Sequence, residues 1–247
     1  MTLCGWASIG ENGKVTGGVA GDQTGREVKT GNWYQFGQKY VLRYKDAKMA
    51  RRHATILKKL CNANLVGYNQ STRTSLYNEL KKVGFTVSKL STKCNTDCSA
   101  LQNACAIAAG ATGISSSWAT GTMLNGFDGK SGYSASDDFI VLTDSKYLTS
   151  GDYLLQGDII VAPYHHTIGV LENGKYAGKE SRTKSKSKYY AKYTGSSLSI
   201  VDALKSLKIT VNRKDIAKAN GIKNYKGSVE QNNKMLKLLK SGKLKKA

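Results

Sequence analysis

Two short segments hold the residue types that can do chemistry. Thr96-Asp97-Cys98-Ser99-Ala100-Leu101 reads as the opening of a helix, with a cysteine in its first turn. Gly157-Asp158-Ile159-Ile160-Val161-Ala162-Pro163-Tyr164-His165-His166-Thr167-Ile168-Gly169-Val170 reads as two strands, with histidines at the entry to the second. A thiolate attacks where a thiol does not. A helix N-terminus favours negative charge, and an imidazole takes up the proton. The pair points to acyl transfer rather than to binding alone.

Each residue also has a plainer reading. The chain has five cysteines, Cys4, Cys61, Cys94, Cys98 and Cys105. Most helical cysteines are small buried hydrophobes, which suits Cys61 and Cys105. Cys98 differs in position, because Thr96 or Asp97 can cap the helix and leave it beside free N–H groups. An odd cysteine count at irregular spacing argues against a disulfide framework and for a reducing site of synthesis. His165 and His166 could form a polar strand end, or a zinc site with Cys94 and Cys98. The four-residue cysteine spacing lacks the usual C-x2-C pairing, so no metal and no cofactor is expected. On an alternating strand His166, Ile168, Val170 and Glu172 share one face and His165 points away, so His166 is favoured as the base. His53, among Arg51, Arg52 and Lys58, reads as a solvated surface residue.

The elements that must position these residues are legible in outline. Residues 1–40 are rich in glycine and aromatics and read as irregular chain with short strands. Helical spacing runs over 46–61, 69–83 and 97–109, with Gly84 and Gly110 as stops. Strands follow at 139–142, 159–162 and 167–171. Asn173-Gly174 is a type I′ hairpin signal ahead of a further strand at Lys175-Tyr176-Ala177. Helices followed by an antiparallel sheet predict an α+β domain over 1–178. Residues 179–194 read as a basic linker, with Tyr189, Tyr190 and Tyr193 as an alternative edge strand. Three short helical segments, 200–207, 213–219 and 228–240, predict a small helical domain over 195–247. Asn212 caps the second, and Ser228 with Gln231 forms a capping box on the third.

These segments resemble the NlpC/P60 and CHAP superfamily of papain-like cell-wall hydrolases. The resemblance rests on Asp97-Cys98-Ser99 at a helix start, on Gly157-Asp158 before an apolar strand, and on His166-Thr-Ile-Gly-Val before Asn-Gly. It is closest to endolysins of phages infecting Gram-positive bacteria. Ile216-Ala-Lys-Ala-Asn-Gly-Ile-Lys-Asn-Tyr, with Gln231-Asn downstream, looks like a C-terminal wall-binding module of such lysins. The resemblance implies hydrolysis of a peptide or amide bond of peptidoglycan through an acyl-enzyme. Cys98 is then the nucleophile and His166 the base, with Tyr68 as a candidate oxyanion group. The polar residue that orients the histidine falls, by the family's spacing, on Gly178; Glu180 is the next acidic candidate. A stem-peptide endopeptidase is the favoured activity, and an N-acetylmuramoyl-L-alanine amidase on the same site is the alternative.

The charge completes the picture. The 247-residue chain carries a net +21, and residues 195–247 alone hold 13 Lys and Arg against 3 acids. A polyanionic partner is implied, attracted over roughly a Debye length. Anionic wall polymer and nucleic acid both fit. A basic nucleic-acid-binding protein has no recognisable motif here and leaves the Cys/His pair unexplained. A decayed, non-catalytic wall-binding protein is disfavoured by the presence of both Cys98 and His166. No apolar run approaches a membrane span, and the N-terminus does not read as a secretory signal. The expected route is synthesis in the host cytoplasm, then release to the wall.

Overall fold

A computed structural model describes residues 1–124, 132–133, 136–180, 182 and 189–247. The chain divides into two compact units, Met1–Lys184 and Ser185–Ala247.

The first unit opens with β1 (Leu3–Ala7), β2 (Val28–Asn32) and β3 (Tyr40–Tyr44). Helix α1 (Ala47–Cys61) follows, begun by the Asp46 side chain, which accepts the Lys48 N–H. Next come β4 (Val66–Tyr68), α2 (Ser75–Lys82), β5 (Cys94–Thr96) and α3 (Cys98–Ala109). The remainder is β6 (Phe139–Leu142), α4 (Ser145–Leu148), β7 (Ile159–Ala162) and β8 (His166–Val170). The six-stranded sheet runs β2-β1-β8-β7-β3-β6, and every neighbouring pair is antiparallel. β4 and β5 form a separate parallel pair.

Strand alternation sorts the core onto two faces. Tyr40, Leu42, Ile159 and Val161 pack with Ala50 and Ala106 of the helical layer. Val41, Ile160, Ile168 and Val170 point the other way, onto Cys4, Trp6, Tyr147 and Leu154. α3 lies in the middle, with every residue but Ile107 buried. Its Ala- and Cys-rich sequence suits that position, because small side chains let neighbouring backbones approach. Asp97 caps α3 by accepting the Ala100 N–H at 2.7 Å, and Gly110 ends it at φ 102°.

Four expectations are corrected. The sheet is not built after the helices alone: β1, β2 and β3 precede α1 and supply half its strands. The expected helix over 69–83 is a 3-10 turn at Gln70–Thr72 followed by α2, because the Asn69 side chain caps the first turn separately. Asn173-Gly174 makes no hairpin. β8 takes β1 as its outer partner, and Gly174 packs against the carbonyls of Gly151 and Asp152 where no side chain would fit. His53 is fully buried rather than solvated. It lies between the Tyr44 hydroxyl and Gln102 Oε1, each at 2.9 Å.

A second buried polar cluster ties β3 to the end of this unit. Arg43 and Asp158 are fully buried, with Arg43 Nη2 2.7 Å and Nε 2.9 Å from the carboxylate. Glu180 joins them through Arg43 Nη1 at 3.2 Å.

The second unit contains α5 (Ile200–Ser206), α6 (Arg213–Ala219) and α7 (Val229–Lys240). Ser199, Asn212 and Ser228 cap them, the last in a full capping box with Gln231. The three helices share one core: Ile200, Ala203, Leu204, Ile216, Ala217, Met235, Leu236 and Leu239. Tyr190 and Tyr193 join this core, and Tyr189 makes a single bridge to Lys245 in place of an edge strand. Much of the expected 179–194 linker lies outside the described residues. Its ends do not behave as free chain: Glu180 and Arg182 bond within the first unit, Tyr190 and Tyr193 within the second. Among the described residues no helix is long and apolar enough to cross a membrane.

Candidate active site at the start of α3

Cys98 is the first residue of α3 and is 7% exposed. The backbone N–H groups of Ser99 and of Thr167, the residue after His166, act on its thiol. The meeting of helix and strand follows from local chemistry. The Asp97 cap sets where α3 starts. β8 pairs with β1 only at Val170 and Gly169, so the Thr167 amide is not used by that strand. Burial, and next the Asp97 carboxylate, push the Cys98 thiol up to about 12; the two amides and Arg73 pull in the opposite direction. Desolvation therefore outweighs the helix N-terminus, and the thiol rests protonated near neutral pH.

His166 lies on the Ile168–Val170 face of β8, as alternation requires. Its ring meets Phe36 edge-on at 5.3 Å and Tyr34 at 6.5 Å. Nε2 is buried with no hydrogen-bond partner among the described residues. Burial, and then the neighbouring His165, lower its pKa to about 4, so the ring rests neutral. His165 is exposed. A neutral imidazole has one nitrogen able to accept a proton.

Two tyrosines are coupled electrostatically to Cys98. Tyr68 is buried, and its hydroxyl receives the Gln70 amide at 3.2 Å. Burial, and then the adjacent Cys98, raise its pKa to about 12. Tyr34 is likewise raised by burial and then by Cys98. Its ring sits tilted between Trp6 and Phe36, each at 5.3 Å. Tyr34 lies in the aromatic-rich stretch over residues 1–40, where the Trp33-Tyr34-Gln35-Phe36 cluster is the signal that the sequence offers.

Arg73 was also missed. Its Nε lies 3.2 Å from the Asp97 carboxylate, and its Nη2 donates to Ser99 Oγ and to the Ser117 and Trp118 carbonyls. It clips the 117–118 chain beside the start of α3. Asn103 assists through its own bond to the Trp118 carbonyl at 2.7 Å.

Glu180 is not brought to His166. Its carboxylate is taken by Arg43, by Lys146 at 2.7 Å and by the Tyr147 hydroxyl. The reason is the missing hairpin: the chain after β8 folds back over residues 151–154 instead of running alongside the strand. Gly178 sits in a 3-10 turn, Ala177–Lys179. Cys94 belongs to the core with Cys61 and Cys105. Among the described residues no cluster of three His, Cys, Asp or Glu side chains is placed to hold a metal ion.

The mixed α/β domain carries Cys98 at the start of α3 and His166 at the start of β8. The endolysin-like domain family model matches residues 4–177, which contain both sheets, α1 to α4, Cys98 and His166. The chain belongs to that family. It is accordingly a phage-type cell-wall lytic enzyme, with peptidoglycan as its general substrate. No curated protein and no solved structure matches the chain.

Proposed function

We propose that this endolysin-like protein is a papain-like thiol hydrolase of the NlpC/P60–CHAP type. Cys98 is its nucleophile, and it cuts a stem-peptide bond in Gram-positive walls. One observation carries the reading: Cys98 heads α3, and the backbone amide that acts on its thiol belongs to Thr167, the residue directly after His166.

Because both groups rest neutral, proton transfer accompanies attack. Sγ bonds to the substrate carbonyl carbon as His166 takes the thiol proton. The oxyanion is met by an N–H at the start of α3 and by the Tyr68 hydroxyl. Collapse breaks the C–N bond, and His166 returns the proton to the leaving amine. Water, deprotonated by His166, then attacks the thioester; the C–S bond breaks, His166 returns the proton to Sγ, and the acyl product leaves as its carboxylic acid, which ionises in solution. With no carboxylate partner for the imidazole among the described residues, Cys98 and His166 work as a dyad beside the aromatic wall of Tyr34 and Phe36.

The basic unit containing residues 195–247 serves as the wall-binding part. Its charge supplies long-range attraction to anionic wall polymer. The protein is made in the host cytoplasm, which keeps Cys98 reduced, and acts after release to the wall.

Digestion of purified walls followed by mass spectrometry tests the bond. Cut stems support the endopeptidase; free lactyl groups on muramic acid assign the amidase instead. Lysis by purified Cys98→Ser at the wild-type rate would falsify the thiol mechanism.

A further inference from the structure

A cavity of about 830 Å³ opens in the C-terminal unit between α6 and residues 221–226. It is lined by Lys214, Asp215 and Lys218 on one side and by Lys223, Tyr225 and Lys226 on the other. No ion pair to the four ammonium groups is present among the described residues.

The loop that closes it is held in advance. Gln231 of α7 donates to the Lys223 and Asn224 carbonyls and accepts the Lys226 and Ser228 amides. Asn232 accepts the Tyr225 hydroxyl at 2.6 Å and donates to the Gly227 carbonyl at 3.0 Å. Asn224 stands at φ 50°, the left-handed region that asparagine tolerates better than most non-glycine residues. Two adjacent side chains thus fix both the loop backbone and the half-buried Tyr225 ring. A site preorganised in this way loses little entropy on binding.

The chemistry of the lining selects the ligand. A fixed aromatic face packs against the C–H face of a sugar ring. Four lysines supply point charges for carboxylates. Asp215 accepts from hydroxyl or amide donors, and it would repel a closely spaced run of phosphates. We propose that this cleft binds an acidic N-acetylated glycan, with a pyranose on Tyr225 and its carboxylate among Lys218, Lys223 and Lys226. The proposal rests on the wall-binding reading of residues 195–247, and names its site and ligand class.

The test uses the full chain at about 0.15 M salt. The probe is the disaccharide N-acetylglucosaminyl-N-acetylmuramic acid, which has no stem and cannot be hydrolysed by this enzyme. Saturable amide shifts should appear across residues 214–226. Neutral chitobiose should bind about tenfold more weakly, and a glycerol-phosphate oligomer should not displace the disaccharide. Tyr225→Ala should weaken binding at least tenfold, while Tyr225→Phe, which keeps the ring, stays within about twofold of wild type. Lys218→Ala with Lys223→Ala should erase the preference over chitobiose. Shifts elsewhere, wild-type binding by a folded Tyr225→Ala, or displacement by the phosphate oligomer would overturn the proposal. Wall sedimentation separates the two readings. If Tyr225→Ala binds the disaccharide and walls normally, the cleft is not the site and wall binding stands. If removing residues 195–247 leaves sedimentation unchanged, the wall-binding reading itself fails.

Discussion

Gly5 of β1 and Gly169 of β8 stand opposite each other in the sheet, and Leu57 and Gln102 fill the space their missing side chains leave. This contact lets α3, and with it Cys98, lie directly on the strand that carries His166. A Cβ on Gly169 would fall 2.5 Å from both Gln102 Oε1 and Leu57 Cδ2. Gly169→Ala should therefore cost about 1–3 kcal/mol by overpacking. Lytic activity should fall further than stability does, because α3 must shift. Thermal unfolding and turnover measured on the same sample check this, and a fully active variant with unchanged Tm would contradict it.

His166→Ala should remove turnover, and His165→Ala should reduce it by less than about tenfold. The buried ring has the unsatisfied nitrogen, and the exposed one faces solvent. EDTA should leave the wild type active. An essential His165 beside a dispensable His166 would shift the strand register by one, and inhibition by EDTA reversed by zinc would revive a metal site.

The pH profile should be displaced toward acid. A base held near 4 stays neutral well below the usual histidine range. The acid limb of kcat/KM should accordingly lie near pH 4 rather than near 6.5, since that limb reports the free enzyme. A limb at 6.5 in the purified enzyme would show that His166 is solvated.

Stability should respond to the same burial. His53 is also lowered to about 4, by desolvation opposed by its bond to Gln102. Between pH 6.5 and 4 the unfolded chain binds protons at these histidines that the folded chain refuses. Stability is thus fully present above about 6.5, declines as pH falls to about 4, and is steady for these groups below that. His53 alone is worth roughly 3 kcal/mol over this window. Denaturant unfolding at pH 7 and pH 4.5 should show a smaller loss in His53→Gln than in wild type; equal losses would remove His53 from the account.

Arg43→Met leaves Asp158 buried without its cation, and should destabilise the first unit by about 3–5 kcal/mol. Asp158→Asn combined with Arg43→Met should recover part of that loss. Urea unfolding of the single and double variants measures the coupling, and strict additivity would mean that the pair is not acting as one.

What the sequence determined by itself is local. The Asp97 cap, the Gly110 stop, the Ser228–Gln231 capping box and the face of β8 that carries His166 all depend on neighbours within about four positions. Each was legible because a cap or an alternation is decided by hydrogen bonds and side-chain directions within one element. The tertiary structure decided the rest. Asn173-Gly174 is a strong turn signal, yet β1, more than 160 positions earlier, pairs with β8 instead. Glu180 then falls to Arg43, and His53 is buried among polar neighbours although the charged residues around it suggested a surface. Tyr34 and Tyr68 are coupled electrostatically to Cys98 from separate parts of the chain. Such pairings depend on closing long loops and burying whole faces at once, a free energy that no local window of sequence contains.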